Sequence, residues 1–133
     1  MKYKLTDIII THKGIKLYRV EAIKNFGNVR KGDVGGYVAR EANLSQSNIA
    51  WLYEDAKVYE DGRVYGKAEV SDLAEVYGKA RVYGEAEVYE RAKIYGNAKV
   101  RGDACIYGTE QVFGDDIVRW GRSLKWILTI KTK

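Results

Sequence analysis

The chain has no proline, one cysteine, one histidine and one methionine in 133 residues. The lone Cys105 excludes an internal disulfide, and with His12 as the single imidazole the chain offers a poor ligand set for a metal, so no metal site is expected. No linker-like stretch interrupts the sequence, which argues against a second domain. No apolar run approaches the roughly 20 residues of a membrane span. The segment from Met1 to Ile10 carries Lys2, Lys4 and Asp7 and has no small-residue cleavage site, so it does not read as a signal peptide, and a reducing, cytosolic setting is expected. The glycines, adjacent only at Gly35-Gly36, form no phosphate-cradling string.

What the chain does have is a period of six. Branched residues fall at Val58, Val64, Val70, Val76, Val82, Val88, Ile94, Val100, Ile106, Val112 and Val118 without an insertion. Two residues before most of them stands a small residue: Ala56, Gly62, Ala68, Ala74, Ala80, Ala86, Ala92, Ala98 or Ala104. Strand side chains alternate, so in Ala-x-Val-Tyr-Gly-x the Ala and Val share one side, and x and Tyr share the other. Four extended residues are then followed by a two-residue corner. Glycine opens the corner at Gly66, Gly78, Gly84, Gly96, Gly102, Gly108 and Gly114, while Glu54, Glu60, Asp72 and Glu90 replace it. Those departures read as a loose demand on corner geometry.

A meander of four-residue hairpins would be marginal and would leave sheet edges open. A triangular coil of three hexads instead sets Val above Val every 18 residues and buries each small and branched residue. The fold class is all-β: a single-stranded, left-handed parallel β-helix of about four to five coils, capped by N-terminal β structure and a C-terminal strand. Handedness comes from resemblance alone, because the branched-corner-small beat resembles the hexapeptide repeat of left-handed β-helices, found in many acyltransferases and in structural polymers. Upstream, the string from Asn25 to Val38 (NFGNVRKGDVGGYV), with Asn43-Leu44-Ser45 and Trp51-Leu52-Tyr53, resembles the YdcK-like hexapeptide-repeat proteins, frequent in phage and prophage genomes. That resemblance covers roughly residues 16 to 118 and implies a phage or prophage product that acts in the host cytoplasm.

Three parts follow in order. Residues 1–35 lack the repeat and read as a β cap, with strands from Leu5 to Thr11 and Ile15 to Ile23 around a turn at Lys13-Gly14. Residues 36–118 form the repeat, with two extra residues near Gln46 to Ile49 bulging from a corner. Residues 119–133 hold Trp120, Leu124, Trp126, Leu128 and Ile130 and read as a capping or oligomerisation strand.

Net charge is +5, but residues 56–118 are acidic on balance and the excess sits at the two ends. With a period of 18, outward residues form columns. One carries Tyr59, Tyr77, Tyr95 and Phe113, beside Lys57, Glu75, Lys93 and Gln111, whose alternation allows charge pairing between coils. With Trp120 and Trp126, the aromatic column is the expected oligomer or partner surface. A second side carries Arg63, Arg81 and Lys99, then Tyr65, Tyr83, Arg101 and Arg119. Arg63, Arg81, Lys99, Arg101 and Arg119 form the expected binding face, since like charges stacked in register either cost stability or meet an acidic partner. The third side, with Trp51, Glu69, Glu87 and Cys105, is acidic.

Hexapeptide acyltransferases commonly use a histidine in a coil or loop. Here His12 lies outside the repeat and reads as a surface residue, and no loop leaves the repeat between Val58 and Val118 to build a pocket. Cys105 has no base to activate it, and Glu110 with Asp115 and Asp116 reads as a solvated acidic cluster. No catalytic residue, metal or cofactor is assigned. The expected function is a non-catalytic, self-associating β-helix, a dimer or trimer, that binds a host macromolecule, most readily a protein, and does not act at a membrane. An acyltransferase-like enzyme and a nucleic-acid-binding module are the alternatives.

Overall fold

A chain that turns at every sixth residue can bury its Ala and Val side only by closing on itself. The computed structural model, which describes residues 1–121, has that closure: a parallel β-solenoid of about five turns. Trp126 and most of the expected C-terminal strand lie outside the described residues. Each hexad gives two hydrogen-bonded strand residues, as at Lys57–Val58, Arg63–Val64 and Glu69–Val70, because the corner already bends the residues on either side.

Three parallel sheets form the sides, and their register follows the 18-residue columns. Val58, Val76, Ile94 and Val112 succeed one another on one side. Val64, Val82, Val100 and Val118 make the second, and Leu52, Val70, Val88 and Ile106 the third. These residues and the alanines from Ala56 to Ala104 are buried in one continuous core.

The corners are stricter than the sequence implied. Glu54, Glu60, Asp72 and Glu90 adopt φ of 50°, 54°, 60° and 58°, close to the 68° of Gly84 and the 66° of Gly96. Left-handed geometry is therefore uniform, and residue identity is what varies. A side chain there costs about 1–2 kcal/mol, and the carboxylates offset it by bonding one coil onward. Glu54 Oε1 accepts the Asp72 N–H at 3.2 Å, Asp72 Oδ2 the Glu90 N–H at 2.9 Å, and Glu90 Oε1 the Gly108 N–H at 2.8 Å.

Ladder polarity explains the N-terminal cap. Outside the paired strand residues each coil donates N–H groups to carbonyls of the next, as Tyr59 does to Val76 and Tyr77 to Ile94, so several carbonyls of the first coil face the N-terminal end. β1 (Tyr3–His12) and β2 (Ile15–Ala22) form an antiparallel hairpin, and β2 pairs with β3 (Val34–Val38) at the start of the Val58 side. The cap supplies donors: the Tyr3 hydroxyl to Leu44 O at 2.5 Å, the Lys2 ammonium to Ala50 O at 2.8 Å, and Arg19 to Gly35 O at 2.9 Å. Burial, with some repulsion from Lys24, lowers the Lys2 pKa to about 8. The expected insertion near Gln46 to Ile49 is the loop that Lys2 grips, and Gln46 Oε1 accepts the Lys2 backbone N–H at 2.8 Å. Tyr3, Val20 and Ala22 close the apolar end.

Candidate functional site

The corner after the Val58 side turns the chain onto a side whose outward slots are cationic. Arg63, Arg81 and Lys99 stand in register in successive strands, all exposed. Neighbouring strands lie about 4.8 Å apart, and two unit charges at that distance in water repel by about 0.9 kcal/mol. Among the described residues the ion pairs are His12–Glu75, Lys13–Glu75, Arg19–Asp55 and Arg40–Asp61, and none includes this column. Glu85 and Asp103, in corners that follow this side, form none of these pairs, and Asp61, in the corner before Arg63, is taken by Arg40. Arg119 is exposed on the same side and Arg101 is half-buried.

Beside the cations, the Tyr65 and Tyr83 rings stack with centroids 4.8 Å apart and planes 3° apart. Each ring covers one face of the other. The pair therefore presents mainly edges and hydroxyls outward, a poor platform for stacking the bases of a single strand.

The aromatic column is continuous but is not wholly outside, contrary to expectation. Tyr59–Tyr77, Tyr77–Tyr95 and Tyr95–Phe113 stack at 5.0, 5.1 and 5.4 Å, yet Tyr59 is buried. The far half of the hairpin extends past β3 and lies across this side, packing Ile10, Ile15 and Leu17 on Tyr37, Tyr59 and Tyr77. Phe113 and Trp120 remain exposed, at 45% and 75%. Nothing in the repeat announces this cover, because Tyr59 and the hairpin residues over it lie more than forty positions apart in the sequence.

Charge on this side also pairs differently from the expected Lys57, Glu75 and Lys93 alternation. Glu75 Oε1 accepts the Tyr59 hydroxyl at 2.5 Å and His12 Nε2 at 3.0 Å, and Lys13 lies 4.0 Å away. His12 is thus no bare surface residue: it is half-buried, edge-on to Tyr59 at 5.4 Å. The group is a latch holding the hairpin tip to the second coil. Burial pushes the Glu75 carboxyl up, but the hydrogen bonds from Tyr59 and His12 and the nearby charges outweigh it, and its pKa is lowered. A carboxyl with a lowered folded pKa stabilises above its unfolded value and loses that contribution as pH falls through the folded one. The latch is therefore expected to hold at neutral pH and loosen in acid below the ordinary carboxylate range. Glu75→Ala leaves the buried Tyr59 hydroxyl without its acceptor, an expected loss of about 1–3 kcal/mol, and amide exchange should speed up across residues 10–17 while the coils stay protected.

On the third side, Trp51 does not line the acidic column but is buried under Phe26, 5.2 Å away edge-to-face. Burial and then the stacked Glu87 push the Glu69 carboxyl up. Burial, Glu87 and Asp103 push the Cys105 thiol up too, away from the thiolate. Glu110, expected as part of a solvated cluster, is buried in the small-residue slot of the last turn, and Asp116 follows it six residues on. Among the described residues no group of three or more His, Cys, Asp or Glu is placed to hold a metal ion. No helix among them is long and apolar enough to cross a membrane.

The fold and faces together define a β-solenoid built on hexapeptide repeats with an N-terminal hairpin latched across one side. Scans against protein-family models and curated proteins return no match.

Proposed function

We propose that this chain is a non-catalytic binding module that self-associates and docks an acidic surface of a protein partner along Arg63, Arg81 and Lys99. One observation carries the reading: three cations held in register on a flat side, with no carboxylate paired to them among the described residues. The arrangement retains mutual repulsion that an anionic partner relieves, and electrostatic complementarity of this kind sets encounter rate and specificity. Self-association is supported by Phe113, the exposed end of the aromatic column, and by the exposed Trp120. The resemblance of the entrance segment supports a phage-encoded product occupying a host macromolecule in the host cytoplasm. Nucleic acid is the second reading, favoured by the same cations and opposed by the mutually covered Tyr65 and Tyr83 rings.

Arg81→Glu combined with Lys99→Glu is expected to abolish binding to a polyglutamate chain standing in for an acidic protein surface. Circular dichroism should be unchanged, because both side chains point outward from an unaltered core. Retained binding overturns the proposal. A duplex DNA arm, read as a steep fall of affinity with salt, distinguishes the nucleic-acid reading, and coenzyme A titration tests the acyltransferase one. A parent protein monomeric by light scattering at high concentration would remove self-association.

A further inference from the structure

Resting on that reading, we propose that the N-terminal end of the basic column is a phosphate site, in which Arg63 and Arg81 grip a phosphomonoester dianion. The two arginines overhang a hollow of about 360 Å³ also lined by Ala42, Ser45, Val64 and Tyr65. It continues into a second hollow of about 400 Å³ that shares Ala42, Ser45 and Arg63 and reaches Gln46.

The pairing register makes Arg63 and Arg81 direct partners on adjacent strands, so their side chains leave the sheet side by side, about 4.8 Å apart at the backbone. Nearby groups of opposite sign or with donor capacity are otherwise engaged. Asp61 is held by Arg40, and Glu41 accepts from Gln46 Nε2 at 3.3 Å. The Ser45 hydroxyl accepts the Ser47 N–H at 3.0 Å and faces the Ser47 carbonyl at 3.3 Å. Two adjacent guanidinium forks are left over a concave floor.

Charge and shape then select the ligand. One carboxylate neutralises half of the pair, whereas a phosphomonoester carries about −1.5 to −2 at neutral pH and offers three acceptor oxygens. Planar guanidinium forks match those oxygens two at a time. Farther along the column the geometry worsens, because Lys99 is a point charge without a fork and Ile117 follows it. Both the charge density and the donor geometry favour the Arg63–Arg81 end.

The test titrates the full chain, by calorimetry at constant ionic strength and neutral pH, with three probes: inorganic phosphate, a phosphoserine peptide, and the same peptide with glutamate in place of phosphoserine. The phosphopeptide is expected to bind roughly tenfold or more tightly than its glutamate counterpart. Arg63→Gln and Arg81→Gln should each lose roughly tenfold or more of phosphopeptide affinity, and Lys99→Gln less than about threefold. Circular dichroism and the thermal midpoint check that these outward substitutions leave the fold intact. If the two peptides bind equally, or Lys99→Gln matches the arginine variants, the phosphate site fails while the acidic-surface reading survives. If inorganic phosphate and the phosphopeptide bind through the arginines while the glutamate peptide does not bind, the site stands and the broader reading falls. If no probe binds, both fall.

Discussion

Val82→Asp is expected to unfold the solenoid cooperatively. Val82 is fully buried and sits between Val64 and Val100 in the stack. The substitution removes branched apolar contact worth about 1.5–3 kcal/mol and adds a carboxylate with no cation within a dry core, which costs several kcal/mol more, or protonates at similar expense. Because coil stability is a sum of nearest-neighbour terms, a lesion in mid-stack damages the coil below and the coil above together. Urea denaturation should show the native baseline lost or the midpoint sharply lowered. The neighbouring outward change Arg81→Gln serves as control, expected within about 0.5 kcal/mol of the parent. A Val82→Asp protein melting within a few degrees of the parent would mean that Val82 does not face inward.

The repeat was readable because one rule acts at every sixth residue: period 2 within the strand sorts inside from outside, and period 18 stacks the coils. From Val58 to Val118 these two periods set every column, including the in-register cations at Arg63, Arg81 and Lys99. The corners were half readable. Glycine marked them, but the sequence could not show that Glu54, Asp72 and Glu90 accept the strained geometry because each carboxylate caps an N–H one coil away. What stayed hidden is the hairpin. Its strands and turn follow from alternation and Lys13-Gly14, yet its path depends on long-range contacts, Lys2 with the Ala50 carbonyl and His12 with Glu75. No periodicity encodes those, so Tyr59 and Trp51 read as surface residues when the hairpin and the entrance segment bury them.

Carbonyls of the first coil face the cap and are met by Lys2, Tyr3 and Arg19. Part of the cationic excess at the N-terminal end therefore has a structural role, since Lys2 and Arg19 meet those carbonyls. In the last described turn Glu110 and Asp116 stand in the slot that alanine fills in most of the earlier coils.

Trp51→Ala is the second large effect, expected to cost about 3–5 kcal/mol. The ring is buried between the first coil and the entrance segment, edge-to-face with Phe26 at 5.2 Å and with Tyr3 at 6.2 Å. It lies against Gly35, where an added Cβ would come within 2.6 Å of Trp51 Cζ2 and 2.7 Å of the Leu52 carbonyl oxygen. Glycine at 35 and tryptophan at 51 are thus one packing unit, and Gly35→Val should reproduce the loss from the opposite side by displacing the ring. The damage should be local at first. Removing the indole undercuts Tyr3 and Phe26, and with them the Lys2 ammonium, which sits 4.9 Å over the Phe26 ring. Amide exchange should accordingly rise in β1 and β2 under conditions where the later coils, from Val82 to Val112, remain protected. Uniform exchange across the chain in the variant would show instead that the cap and the coils melt as one unit, and a loss below about 1 kcal/mol would show that the indole is not part of the packed end.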